Sequence, residues 1–109
     1  MSKDKILDIE ERIIGLYNKL ADLKNLYQVK MSSISQNSKN VEDIKQDLDF
    51  IATAINDIVG EFKSLTPEDK GLYSVIKKVD EKVSFLEESL NNLVWRILAI
   101  GNNNGERNE

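Results

Sequence analysis

Residues 32–40 read Ser32-Ser33-Ile34-Ser35-Gln36-Asn37-Ser38-Lys39-Asn40, and the fold turns on whether the chain stays helical through them. Apart from Ile34 and Lys39, every residue in the stretch is Ser, Asn or Gln. Such side chains compete with the backbone for hydrogen bonds and favour caps and turns over helix interiors. A break here leaves three helices of about 25 to 30 residues, an up-down-up bundle in one chain. Against a break, Ile34 and Val41 hold the heptad register of their flanks, which a loop has no need to preserve. On that argument the sequence favours one helix over about 3–64 with a weak middle. Such a helix is roughly 90 Å long and needs a second copy or a partner along its free half.

The register extends outward on both sides. With Ile6 at heptad position a, Ile13, Leu20, Tyr27, Ile34, Val41, Leu48, Ile55 and Phe62 follow at a, and Ile9, Leu16, Leu23, Ile44, Ile51, Ile58 and Leu65 at d. Only Lys30 and Asn37 interrupt it, as polar core layers or as the mark of a frayed or looped segment. Beyond a turn the spacing resumes with Ile76, Val83, Leu90 and Ile97 at a and Leu72, Val79, Leu86, Leu93 and Ile100 at d. No alternation of period two survives beside this pattern, so strands are excluded. Leu7 and Ile14 at b, Tyr17, Ala52 and Val59 at e, and Leu26 and Ala54 at g widen the seam beyond what a two-stranded coil uses, so each helix expects at least two neighbours.

The punctuation is sparse: one Pro and five Gly in 109 residues. In Thr66-Pro67-Glu68-Asp69, Thr is a favoured N-cap, Pro suits the first helical position, and Asp69 meets the helix dipole. A helix is expected from about Pro67, and the preceding one should stop near Ser64, because Pro pushes its predecessor out of the α region. Gly101 and the asparagines after it end the last helix near Ile100, leaving 102–109 as a disordered tail. The expected fold is therefore all-α. A long coiled-coil helix (about 3–64, with a break at 32–40 as the alternative) folds back as a helical hairpin onto a second helix (about 67–100) in an oligomeric bundle. Residues 1–101 form its single domain.

Composition removes most chemistry. The chain has no Cys and no His, so thiol nucleophiles, disulfides, imidazole catalysis and zinc sites of the usual kind are absent. The acidic pairs Glu10-Glu11, Asp47 with Asp49, Asp80-Glu81 and Glu87-Glu88 are neighbours or near-neighbours on a helix and do not converge on one substrate atom. No Gly-rich phosphate loop or nucleophile elbow occurs. No catalytic, cofactor-binding or metal-binding residue is assigned, and an enzyme is the least expected class. The net charge of −4 is the wrong sign for a phosphate-backbone binder, so nucleic acid is an unlikely partner. Charge is uneven, +2 over residues 1–40, −5 over 41–71 and −1 over 72–109, so the first segment should attract the second. No leader-like apolar run or membrane-spanning stretch is present, and a cytoplasmic location is expected, in a cell or in a host carrying a virus or plasmid.

Residues 9–24, Ile-Glu-Glu-Arg-Ile-Ile-Gly-Leu-Tyr-Asn-Lys-Leu-Ala-Asp-Leu-Lys, resemble the N-terminal coiled coil of the YabA family, replication-initiation control proteins of low-GC Gram-positive bacteria. The resemblance implies an oligomerisation stalk. The chain departs from the family in having no Cys for its C-terminal zinc site, so the family's initiator- and clamp-binding activities do not carry over.

The expectation for function is a non-enzymatic coiled-coil scaffold, adaptor or regulator. It would self-associate as a dimer or tetramer through Ile6, Ile9, Ile13, Leu16, Leu20, Leu23 and Tyr27 and bind another protein through Leu93, Val94, Trp95 and Leu98. In the run Leu93–Ile100, Val94 falls at e, Trp95 at f and Leu98 at b, faces that a hairpin core leaves in water. Two alternatives come from other classes: a peripheral membrane protein whose C-terminal apolar cluster dips into a bilayer surface without spanning it, and a regulator of DNA replication or transcription acting through protein contacts.

Overall fold

The computed structural model describes residues 3–32 and 39–100, with side-chain environments from Asp4 and from Val41 onward in the two segments. Four helices pack against one another: α1 over Lys3–Ser32, α2 over Lys39–Ser64, the single turn α3 over Pro67–Lys70, and α4 over Tyr73–Leu98. The three long helices run up, down and up. Between α1 and α2, the Tyr17 hydroxyl donates to Asn56 Oδ1 at 2.7 Å and the Tyr27 hydroxyl to the Val41 carbonyl at 3.3 Å, an antiparallel order. Between α1 and α4, Lys5 pairs with Asp80 and Lys19 with Asn91, a parallel order. Between α2 and α4, Asp47 meets Arg96 and Glu61 meets Lys82, again antiparallel. The bundle measures 57 × 19 × 18 Å.

A single helix over 3–64 is therefore not what the chain forms. In one straight helix Tyr17 and Asn56 would lie about 58 Å apart, whereas here their side chains are hydrogen-bonded. The physical reason lies in the width of the seams: a helix with apolar residues beyond a and d buries them only between two neighbours, and folding back supplies both within one chain. Val41 is buried as the first of α2's own core series. Residues 33–38, and with them Asn37 and the question of helix or loop, lie outside the described residues, as does the expected tail 102–109.

The core is the heptad seam. Ile9, Ile13, Leu16, Leu20 and Leu23 of α1 meet Val41, Ile44, Leu48, Ile51, Ile55, Ile58 and Phe62 of α2, and Ile76, Val79, Val83, Leu86, Leu90, Leu93 and Ile97 of α4, with Ile100 just past its end. Each such side chain contributes about 1.5–3 kcal/mol on burial. No buried polar residue interrupts this core among the described residues. Lys30, the one basic residue at a described d position, sits half-buried in the last turn of α1, at an end of the seam.

The turn at Thr66 forms as expected and then does something the sequence did not announce. Thr66 Oγ1 accepts from the Asp69 amide at 3.0 Å and Asp69 Oδ2 accepts from the Thr66 amide at 3.1 Å, a capping box with Pro67 in the first turn. The helix it starts lasts only to Lys70. Gly71 closes it and Leu72 turns extended (φ −93°, ψ 123°) as the N-cap of α4. The expected helix 67–100 is thus two helices. A run starting at Pro67 carries Asp69 at a and would require Leu72 at d to be core, yet Leu72 is exposed. The extended residue lets α4 start in its own direction, so that Ile76 opens the buried series. Lys70 folds back over Phe62, its ammonium 4.8 Å from the ring centroid.

Candidate docking surface

The C-terminal run of α4 divides by heptad face. Leu93, Ile97 and Ile100 are core, Val94 and Leu98 are half-buried, and Trp95 stands 72 % exposed. Of the four residues expected to meet a partner, only Trp95 lies in solvent. The reason is that the e and b faces of α4 are covered by α1: Asp80 and Glu87 at e, and Ser84 and Asn91 at b, bond to Lys5, Arg12 and Lys19. Val94 and Leu98 share those faces. Position f, opposite the core, has no helix over it.

A larger feature lies on the other side of α4. Phe50 of α2 and Phe85 of α4, 68 % and 61 % exposed, both occupy position c and line an open groove of about 470 Å³ between the two helices. Ala54, Ile58 and Leu86 form its apolar floor, and Asp57, Glu61, Lys78, Glu81 and Lys82 its edges. Ala54 keeps the floor low where a longer side chain would fill it. The expectations from sequence missed both phenylalanines. The available signal was their place at c, an outer position where a large aromatic ring gains nothing from the core.

The outer edge of the α1–α4 interface is polar and closely made. Arg12 donates from Nε and Nη2 to the two oxygens of Glu87 at 3.1 and 2.9 Å, from Nη1 to Asp80 at 2.6 Å, and from Nη2 to Ser84 at 2.8 Å. Lys5 reaches the other oxygen of Asp80 at 3.0 Å. The bonds from Lys5 and then Arg12 hold the Asp80 carboxyl below its ordinary range, and the bond to Glu87 foremost keeps the Arg12 guanidinium charged. Spacing could have found this: Lys5, Arg12 and Lys19 are g residues and Asp80 and Glu87 are e residues, the pairing of adjacent coiled-coil helices. The expected attraction of a basic first segment for an acidic second one is instead met largely by α4, through Asp80 and Glu87. On the α2 side the polar contacts are those of Tyr17 and Tyr27, and burial, with Glu42 and Asp49 nearby, pushes the Tyr27 phenol up.

The residues expected to oligomerise are placed inside the single chain. Ile9, Ile13, Leu16, Leu20 and Leu23 are buried against α2 and α4, with Ile6 and Tyr27 packed at the margin. What α1 leaves outside is Leu7 and Ile14 at b with Tyr17 beside them, and Val29 near its end. Among the described residues, no three carboxylates come together in a way that could hold a metal ion, and no helix is long and apolar enough to cross a membrane.

No known protein family, characterised protein or solved structure matches this chain. The likeness of residues 9–24 to the YabA coil therefore has no wider match behind it, and its apolar positions serve this chain's own core.

Proposed function

We propose that this protein is a non-enzymatic helical bundle that acts by binding another protein, as a scaffold, adaptor or regulator. One observation carries the reading: Phe50 and Phe85 stand in solvent as the walls of one groove, with Trp95 and Tyr73 also exposed on α4, while none of the four belongs to the chain's own core. Large exposed aromatic groups around a groove mark interaction surfaces on soluble domains, and aromatic anchors dominate interface energetics. Self-association is no longer needed to bury the seam, so a second copy is not part of this proposal. The test is affinity capture from the native source with the wild type and with a Phe50→Ser, Phe85→Ser, Trp95→Ser variant. The proposal expects a set of proteins retained by the first and lost by the second, with equal helicity in both. Identical sets refute it.

A further inference from the structure

Resting on that reading, we infer that the groove between α2 and α4 takes a basic amphipathic helix of the partner, with two large apolar side chains seven or eight residues apart seated beside Phe50 and Phe85. Shape comes first. The pairs Asp47–Arg96 and Glu61–Lys82 fix the antiparallel alignment of the two walls. By that alignment Phe85 stands level with about residue 58 of α2, eight residues or roughly 12 Å along the axis from Phe50. Two turns of an incoming helix span the same length, so its i and i+7 or i+8 side chains fall at the two rings with an i+4 residue over Ala54 between them.

Charge then selects among helices. Within the groove Lys82 is held by Glu61 at 2.8 Å, which leaves Asp57 and Glu81 against Lys78. Asp43 stands one heptad before Phe50 and Asp57 one heptad after it on the same outer line of α2, and Glu88 continues the line of Glu81 on α4. Residues 41–71 carry −5 in all. Lys or Arg flanking the apolar anchors meets this field, and Asp or Glu is repelled by it. The same field disfavours a second copy. The groove presented to itself opposes acid to acid, and Leu7 and Ile14, exposed on α1, lie among Asp4, Asp8, Glu10 and Glu11. The tail 101–109, Gly, Asn, Glu and Arg throughout, has no apolar side chain to offer.

The test titrates the full chain with three synthetic helical peptides free of Trp: one with Leu at i, i+4 and i+7 and Lys elsewhere, the same pattern with Glu for Lys, and a scrambled Lys/Leu sequence. Amide chemical shifts of the protein report the site. The inference expects the basic amphipathic peptide to shift residues 50–61 and 78–86, with affinity about tenfold weaker for the scrambled peptide and for Phe50→Ser or Phe85→Ser. These two side chains are exposed, so the variants should keep wild-type helicity. Asp57→Lys with Glu81→Lys should turn the preference toward the acidic peptide. Four outcomes overturn the inference: shifts located away from the groove, equal binding of basic and acidic peptides, binding indifferent to both phenylalanines, and capture by uncharged lipid vesicles in place of peptide. None of them touches the broader docking proposal, which fails separately when the triple Ser variant retains the same captured proteins as the wild type.

Discussion

Replacing Arg12 by Met removes the guanidinium that ties α1 to α4 while keeping an unbranched apolar stem of similar reach. Arg12 is 23 % exposed and makes a fork to Glu87 and a separate bond to Asp80, whose side chains are 40 % and 28 % exposed. Hydrogen bonds to charged groups contribute about 1.5–3 kcal/mol when well shielded, and exposed ion pairs only about 0.2–1 kcal/mol. After the change water reaches both carboxylates and Asp80 keeps Lys5, so no charge is stranded in a dry interior. The expected loss is between those limits, about 1–2 kcal/mol. In urea that moves the midpoint down by about 1 M with unchanged slope, read from helicity at 222 nm. Arg12→Lys keeps the charge but not the planar fork and should recover less than half of the loss. The acid limb carries an independent check. Asp80 has a folded pKa below its unfolded value, so its contribution is present above the unfolded value of about 3.9 and is lost as pH falls through it toward the folded one. The wild type should therefore lead the Met variant at pH 6, and the gap should close as the pH is taken to about 2.5. A loss under about 0.3 kcal/mol at pH 6, with parallel acid limbs, would show that the cluster is an ordinary surface ion pair and that the reasoning is wrong.

Other consequences are simpler to check. A Cβ added at Gly15 or Gly60, both within long helices, meets nothing within 4 Å, so Gly15→Ala and Gly60→Ala should each raise stability by about 0.5–1 kcal/mol in the same urea assay, and a loss at either would show that its surroundings are closed. Leu90→Ala, at a fully buried site, should cost about 2–5 kcal/mol, and a smaller loss would mean that the bundle collapses into the cavity. Because the seam closes within the chain, light scattering should return a mass near 12.4 kDa at micromolar concentration, and a dimer mass would mean that an outer face such as Leu7 and Ile14 self-associates. Trp95 should emit as an indole in water and be quenched freely by iodide, and a blue, protected emission in the isolated protein would place it under another part of the molecule.

The class of the fold was legible in the sequence because a heptad period is a local property: Ile6 through Phe62 and Ile76 through Ile97 name the buried faces without reference to any neighbour. The stop near Ser64 and the cap at Thr66 were legible for the same reason, since Pro and an N-cap act within one turn. What a neighbour decides could not be read so directly. The same a and d residues suit a second copy or the chain's own next helix, and only the antiparallel contacts of α1 with α2 show that the single chain closes its core. The short α3 ends at Gly71, a local stop within the sequence, whereas the direction α4 takes after the extended Leu72 is set by its packing on α1 and α2. The docking surface divides in the same way. Trp95 at f was marked by its position alone, whereas the half-burial of Val94 and Leu98 was not, because the sequence does not say on which side of α4 the helix α1 will lie. Phe50 and Phe85, 35 positions apart, become one groove only when the antiparallel packing of α2 and α4 puts their outer faces side by side.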